Sequence, residues 1–338
     1  PFWTVDTLFY TEVNDKIVFP RYIYYVLSQI DFNYYNEGTT IPSLRTETLN
    51  QLEILVPSKL NQKKILNAIL PIDRKIKNNH EMIDSLEQLA QTLFKRWFVD
   101  FEFPNANGDP YKSSGGEMVE SELGIIPAGW NVGKIKDVVS VKSGYAFKST
   151  WWTDKGDSVI KIKNINSGTI STKQLAYVSK DKALLAKNFE VYAGDIVIAL
   201  TGATLGKVAL VPKHNKRMLV NQRVGKFFLG GEPLNKIAFI HCLITNEIIS
   251  KAIIDRGSGS AQANLSPSNL ESINIVLPNQ SLISRFNKIM NPSYEKITST
   301  HYEISELQVL RNTLLPKLLS GEIELPDETE VTENVPIS

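Results

Sequence analysis

Apolar residues recur at alternating steps of four and three along residues 62–98. This heptad-like spacing predicts a long helix that packs against another helix along one stripe. The stripe positions are Ile65, Ile69, Ile72, Ile76, Asn79, Ile83, Leu86, Ala90, Leu93 and Trp97.

The same stretch occurs twice in the chain. A shift of 221 residues places 62–98 on 283–319 without a gap, with Pro71 over Pro292 and His80 over His301. The second stripe comprises Phe286, Met290, Ser293, Ile297, Thr300, Ile304, Leu307, Arg311, Leu314 and Leu318. Two helices in one register predict that they pack on each other, with Leu86 and Leu307 buried between them.

The prolines predict a break or kink in each helix. Pro71 and Pro292 would each cost roughly 3 kcal/mol inside a helix. We therefore expect a short helix, a break or kink, and then a long helix from about 72 to 98, with Ser58 and Asn279 as N-caps of the two copies.

The composition is that of a globular protein. Of 338 residues, 42% are hydrophobic and 22% are charged, which is enough for two or three domains. The sequence shows no signal-peptide pattern and no apolar run as long as a membrane span, which favours a cytoplasmic location. Cys242 is the one cysteine, so a disulfide framework and a cysteine-based metal site are excluded.

The charges are unevenly distributed. Residues 130–226 hold 17 Lys and Arg against 6 Asp and Glu, whereas residues 321–338 hold 6 acids and no base. The basic stretch favours nucleic-acid binding, with a merely solvated lysine-rich surface as the alternative. The acidic tail is predicted to be disordered.

The repeat also predicts the domain boundaries. Pro1 aligns with Gln222 in the middle of the second copy, so about 100 residues that would precede Pro1 are expected to be missing. The predicted segments are the end of a first globular domain (1–57), a long helix (58–101), a connector (102–123), a second globular domain (124–278), a second long helix (279–320) and the tail (321–338).

The second globular domain is predicted to be α+β. A helix is expected at about 238–254. Its apolar runs predict strands at 138–141, 158–162, 195–200, 207–211 and 224–229. A strand is also expected at 52–57, directly before the first long helix, and its counterpart is 273–278.

Two segments resemble catalytic motifs, but their residue spacing or sequence context does not match those motifs. The segment GATLGK at 202–207 has three residues between its glycines where a phosphate loop needs four. Asn291-Pro292-Ser293-Tyr294 resembles an adenine-methyltransferase box but lacks a glycine-rich cofactor turn. Neither a metal-ligand cluster nor a paired acid and base is visible, and His80 and His301 fit packing positions.

Polar loops in the basic domain supply candidate DNA contacts instead. Lysines hold phosphates, and Arg, Asn, Gln, Ser and Thr read base edges. The candidate phosphate contacts are Lys142, Lys148, Lys161, Lys163 and Lys207, with Tyr145 in the same loops. The candidate base readers are Asn164, Thr201, Thr204, Asn221, Gln222, Arg223, Arg256, Ser258, Ser260 and Gln262.

Several segments resemble the specificity subunits of type I restriction-modification systems. They include LFKRWFVDF at 93–101, GIIPAGW at 124–130 and LLPKLLSGEI at 314–323. Further matches are KSGYAF at 142–147, GDIV at 194–197 and NQRV at 221–224. The resemblance covers nearly the whole chain.

This resemblance implies an α+β protein with two target recognition domains, the first truncated, joined by two long conserved helices that form an antiparallel coiled coil. The function implied is reading part of a bipartite double-stranded DNA target and docking modification (methyltransferase) subunits and a restriction (translocase and endonuclease) subunit. The expected coiled-coil and subunit-interface residues are Ile76, Ile83, Leu86, Leu93, Trp97, Ile297, Ile304, Leu307, Leu314 and Leu318.

The resemblance also implies that the chain is non-catalytic and binds no cofactor. S-adenosylmethionine, ATP and Mg would belong to the partner subunits. Two alternatives remain open at this stage: a coiled-coil scaffold with basic domains, and a DNA methyltransferase or nuclease.

Overall fold

The computed structural model describes residues 8–38, 43–166, 168–172, 174–257 and 263–326. The chain divides into two compact units. Unit 1 comprises Pro1–Asn78 and Glu306–Ser338, and unit 2 comprises Asn79–Ser305. The predicted base readers Ser258, Ser260 and Gln262 lie outside the described residues, as does the acidic tail beyond residue 326.

The elements show an α+β protein with two long helices. The helices are α1 (Pro20–Leu27), α2 (Thr46–Asn50), α3 (Lys59–Phe94), α4 (Lys180–Leu185), α5 (Ile237–Thr245), α6 (Glu247–Gly257), α7 (Pro267–Glu271) and α8 (Gln280–Leu319). The strands are β1 (Met118–Ser121), β2 (Gly124–Pro127), β3 (Asn131–Lys134), β4 (Ser140–Ser143), β5 (Trp152–Thr153), β6 (Asp157–Ile160), β7 (Gly168–Thr169), β8 (Ala176–Val178), β9 (Glu190–Val191), β10 (Ile196–Ala199), β11 (Val208–Leu210), β12 (Met218–Val220), β13 (Val224–Phe228) and β14 (Asn274–Leu277).

The internal repeat is confirmed by the element boundaries. Helices α2 and α7 span equivalent residues at the predicted offset of 221, and α3 and α8 begin at equivalent positions. The helix predicted at 238–254 is instead two helices, α5 and α6, because the backbone at Asn246 is extended (φ −59°, ψ 140°).

No described helix alone has the length and apolar character to cross a membrane. Helices α5 and α6 pass that test only as a pair, and they are bent by 66° where they meet.

Of the break or kink predicted at each proline, the break is wrong. Pro71 lies inside α3 and Pro292 inside α8, and both helices continue through them. Each proline is exposed, and so is the residue four positions before it, Asn67 or Lys288. The carbonyl that loses its helical hydrogen bond therefore lies on the solvated side of the helix, where water can satisfy it.

The buried stripe of α3 follows the prediction at most positions. Ile76, Ile83, Ala90 and Trp97 are buried as predicted, but Leu86 and Leu93 are only half-buried, and Phe94 is buried next to Leu93. In α8, Leu307 and Leu314 are half-buried and Leu315 is buried.

In unit 1, the start of α3 and the end of α8 share a core with α1. Tyr22 and Ile69 are completely buried in it. Gln62 is also fully buried, and its amide bonds to the backbone of Phe19, Ile17 and Pro57. This side chain therefore ties the loop before α1 and the segment before α3 to the helix.

The two helices also make specific contacts with each other. In unit 1, the Arg311 guanidinium lies 2.9 Å from the Asp73 carboxylate. In unit 2, Asn79 Nδ2 donates to Glu303 Oε2 at 3.0 Å, and the rings of Phe94 and Phe286 are 6.1 Å apart. In these two contacts of unit 2, the later residue of α3 meets the earlier residue of α8. The two helices therefore run antiparallel there.

Unit 2 contains two five-stranded sheets, in the orders β4-β13-β10-β11-β7 and β5-β8-β6-β12-β9. Both sheets contribute to one apolar cluster, with Val197, Ala209 and Val224 from the first and Ile160 and Val220 from the second. Strand β10 is buried at every residue, as its uninterrupted apolar sequence predicts.

The strand predicted at 52–57 is absent. Its counterpart β14 exists because it pairs antiparallel with β3. Residues 53–56 have no such neighbour among the described residues, and an extended segment without a partner cannot form a ladder.

A buried ion pair generates the first prediction. Lys226 Nζ lies 2.6 Å from Asp195 Oδ2 and donates to the carbonyl of Glu190. Lys226→Met would leave a buried carboxylate unpaired, so the free energy of unfolding measured with urea should fall by about 3–5 kcal/mol. The exposed Lys216→Met serves as the control, and equal stabilities of the two variants would contradict the assigned role.

A second prediction concerns the stripe on α3. Ile83 is 4% exposed, whereas Leu89 on the same helix is 54% exposed. Ile83→Ala should therefore lower the unfolding free energy by roughly 2–5 kcal/mol. Leu89→Ala should change it by less than about 0.5 kcal/mol. Equal effects in denaturant titrations would mean that this face of α3 is not packed.

Candidate nucleic-acid interface

Strand register brings the predicted loops to one end of the unit 2 sheets. Ser143 at the end of β4 pairs with Gly225 at the start of β13, and Val224 pairs with Ala199 at the end of β10. In the second sheet, the last residues of the parallel strands β6 and β12, Ile160 and Val220, pair with each other. We call this edge the loop end of unit 2.

Backbone hydrogen bonds join the loops at this end. Gln222 N donates to Tyr145 O, and Asn221 N donates to Ile160 O, both at 2.9 Å. Leu200 N donates to Arg223 O at 3.0 Å. The loops after β4, β6, β10 and β12 are therefore held against one another.

A glycine permits this close approach. A Cβ at Gly144 would lie 2.3 Å from the carbonyl oxygen of Val220. Any larger residue would push the loop after β4 away from the loop after β12.

Two further segments reach the same end. Thr201 forms a β-bridge with Asn264, and Asn264 N donates to Gly257 O at 3.1 Å. The described residues on both sides of 258–262 therefore lie beside the loop after β10. The hydroxyl oxygens of Thr201 and Thr204 are buried and have no hydrogen-bond partner among the described residues.

Five predicted contact residues are exposed on the loops of this end. They are Lys148, Lys163, Lys207, Gln222 and Arg223. Tyr145 and Asn221 are half-buried beside them. This set combines cations suited to phosphates with side chains suited to base edges.

Four other predicted contacts are engaged within the protein. Asn164 is 1% exposed, and its Oδ1 accepts from Lys161 N. Arg256 donates to Asn269 O and Ser272 Oγ. Asn164 and Arg256 thus hold loops together, and a buried Asn164 offers no amide edge to DNA.

Lys142, which is exposed, and Lys161, which is half-buried, each lie over an aromatic ring. Lys142 Nζ lies 5.0 Å from the ring of Phe228, at the end of β13 opposite to the loop end. Lys161 Nζ lies 3.5 Å from the centroid of Trp152. Burial, with a smaller contribution from the charge of Lys163, lowers the pKa of Lys161.

Sequence reasoning missed the tryptophan pair beside these lysines. Trp151 stacks on Tyr145 with ring centroids 6.1 Å apart, and Lys148 Nζ lies 5.7 Å from the Trp151 ring. Adjacent tryptophans in a basic stretch were the available signal, because aromatic faces attract cations and stack on bases.

Unit 2 also holds a buried polar cluster between α3, α5 and α8. His241 Nδ1 lies 2.9 Å and Cys242 Sγ 3.4 Å from Tyr294 Oη. Glu87 Oε1 and His301 Nε2 are buried without a hydrogen-bond partner among the described residues. Glu87 and His241 line a cavity of about 560 Å³.

The electrostatics of this cluster do not suit nucleophilic catalysis. Burial raises the pKa of the Cys242 thiol to about 12 and lowers the pKa of His241 to about 4. The thiol is therefore protonated at neutral pH, and the histidine is a poor base. Among the described residues, no group of three or more His, Cys, Asp or Glu side chains could hold a metal ion.

Glu87 yields a prediction of pH dependence. Burial first, and the charge of Asp84 second, raise its pKa from 4.5 to about 7. The folded state then binds more protons than the unfolded state between these values, so the carboxylate destabilises the fold as the pH rises. Glu87→Gln should raise the unfolding free energy near pH 8 by on the order of 2 kcal/mol and change it little near pH 4.

The control for this prediction is Glu295→Gln, an exposed carboxyl on α8. A stability gain for Glu87→Gln that is the same at both pH values would exclude titration of Glu87 as its cause.

Comparisons with known proteins point to one family. The sequence model of a protein family, the type I restriction modification DNA specificity domain, matches residues 1–88 and 127–308. The chain is 29% identical over 322 residues to the type I restriction enzyme MjaIX specificity subunit of Methanocaldococcus jannaschii, covering 92% of this chain and 70% of the relative. It is 26% identical over 379 residues to the type I restriction enzyme HindI specificity subunit of Haemophilus influenzae, covering 95% of this chain and 81% of the relative.

A solved structure shares the fold. The S subunit of a type I restriction-modification system from M. genitalium superposes with a TM-score of 0.52 at 19% identity, covering 93% of this chain and 75% of that one. Because the family model matches most of the chain, we conclude that this protein belongs to the type I restriction-modification DNA specificity family.

Proposed function

We propose that the loop end of unit 2 reads one half of a bipartite double-stranded DNA target. The observation that carries this proposal is the convergence of Lys148, Lys163, Lys207, Gln222 and Arg223 on loops joined by backbone hydrogen bonds. Rigidly joined loops can hold cations and amide edges in fixed relative positions, which sequence-specific reading requires.

Specificity subunits of type I systems are non-catalytic DNA-recognition proteins, and membership of this family confirms that part of the sequence prediction. We further propose that methyl transfer, ATP use and DNA cleavage belong to partner subunits, which would hold S-adenosylmethionine, ATP and Mg. A cytoplasmic location, where DNA and these partners meet, fits this role.

We also propose that α3 and α8 form an antiparallel coiled coil that spaces two target recognition domains and docks the modification and restriction subunits. The antiparallel contacts in unit 2, from Asn79–Glu303 to Phe94–Phe286, support this proposal. The proposal includes the domain boundaries predicted from the sequence, which follow residues 57, 101, 123, 278 and 320.

DNA binding by the full chain should depend on salt and on Arg223. Four exposed cations, Lys148, Lys163, Lys207 and Arg223, give a log–log salt slope of roughly −3 to −4. Arg223→Ala should cost roughly 1–3 kcal/mol on a half-site selected from random duplexes and much less on unrelated DNA. Lys148→Ala should weaken binding to both DNAs about equally.

Lys216→Ala is the matched control. Lys216 is exposed in unit 2 just before β12, whose last residue lies at the loop end, so Lys216 is at the opposite end of that strand. Binding measured by fluorescence anisotropy should be unchanged in this variant. Salt-insensitive binding without any selected motif would support a coiled-coil scaffold instead.

A further inference from the structure

One cavity of unit 2 combines a carboxylate with aliphatic side chains. It has a volume of about 560 Å³, which lies within the range of small-molecule pockets. Its wall is formed by residues of α3, α5 and α6, by Gly168 of β7, and by residues 205–208 between β10 and β11. All of these residues belong to unit 2.

The carboxylate in this wall lacks a counter-charge. Glu87 Oε1 is buried and has no hydrogen-bond partner among the described residues. His241 also lines the cavity, but burial lowers its pKa to about 4, so it is uncharged at neutral pH. Lys207, an exposed cation of the wall, forms no ion pair with Glu87 in the part of the chain that the structure describes. A buried carboxylate without a partner is unfavourable, and a cation in the cavity would remove that cost.

A second acceptor lies one helical turn further along α3. Gln91 Nε2 donates to Thr245 Oγ1 at 2.6 Å, which leaves the amide oxygen of Gln91 as an acceptor. Residues four positions apart share a face of a helix, so Gln91 and Glu87 border the same cavity. Ser250 adds a hydroxyl to the wall. The aliphatic side chains of the wall are Leu205, Val208, Ile244 and Ile254.

We propose that this cavity binds a small primary amine in its ammonium form, with the ammonium against Glu87 and the amide oxygen of Gln91, and the apolar part of the molecule against the aliphatic side chains. An ammonium carries three donors, which suit a carboxylate and a neighbouring amide oxygen. The volume of the cavity favours a small free molecule over a protein segment. This inference does not depend on DNA reading by the loop end.

The test uses the full chain at pH 8, because burial raises the pKa of Glu87 to about 7 and the carboxyl is mostly ionised above that value. Saturable binding of hexylamine is expected in isothermal titration calorimetry. The probe 1-hexanol has the same chain without the charge, so it should bind about tenfold or more weakly. Glu87→Gln should weaken hexylamine binding to a similar extent. Glu295→Gln, which removes an exposed carboxylate of α8, should leave it unchanged.

Glu87→Gln preserves the shape of the side chain, and circular dichroism should show the variant folded. Absence of saturable binding at millimolar hexylamine would overturn the proposal. Equal affinities for hexylamine and 1-hexanol, or of the wild type and Glu87→Gln for hexylamine, would do the same.

A lysine side chain of a protein partner would offer the same ammonium. The probe for that source is Nα-acetyl-lysine methylamide, which should bind more weakly than hexylamine because its amide groups would meet the aliphatic side chains. Tighter binding of this probe would assign the cavity to a partner protein and overturn the small-molecule proposal. DNA binding by the same Glu87→Gln protein should be unchanged, which separates this result from a failure of the loop end.

Discussion

Unit 2 depends on one aromatic cluster at the end of α3. The Phe98 ring lies 5.0 Å from Phe239 of α5, 5.2 Å from Phe286 of α8 and 6.1 Å from Trp130. Rings at these distances bury large apolar areas and add about 0.5–1.5 kcal/mol per pair beyond that burial. The cluster therefore fixes the start of the sheet domain against both long helices.

Two unusual backbone conformations place the aromatic rings of this cluster. Residues Lys95–Val99 form a π-helical turn directly after α3, which shifts the side chains of Trp97 and Phe98 relative to the helix that precedes them. Phe101 then adopts φ 63°, a left-handed conformation that is unfavourable for a bulky residue. Its contact with Trp130 is part of the packing that holds it there.

The sequence predicted the repeat well because both copies keep one register over the whole helix, and α3 and α8 begin at equivalent residues. The sequence prediction failed where the three-dimensional surroundings of a residue decide whether it is buried. A strict heptad stripe assigned Leu86 to the interior, but Leu86 is only half-buried, and the Oε1 atom of its polar neighbour Glu87 is buried as well. The helix breaks predicted at Pro71 and Pro292 were wrong because the helix propensity of a residue does not reveal which face of the helix is solvated.

The candidate interface was predictable as a set of loops but not residue by residue. Periodicity located the strands, and their ends brought the polar loops together. Asn164 and Arg256 have the side chains expected of base readers, yet both are used to hold loops in place. Composition cannot distinguish these uses, because a buried amide and a base-reading amide need the same chemistry.

The positive charge of the basic stretch is likewise divided between structure and surface. Lys226 is buried against Asp195, and Arg217 lies within 3.6 Å of Asp157 and 3.3 Å of Glu190. The cations Lys142 and Lys161 lie over aromatic rings. Lys226 and Arg217 are therefore used within the fold, so the excess of positive charge counted along the sequence overstates what faces a ligand. The exposed cations at the loop end are fewer, but the joined loops concentrate them on one edge, and this arrangement rather than the total charge favours binding along a phosphate backbone.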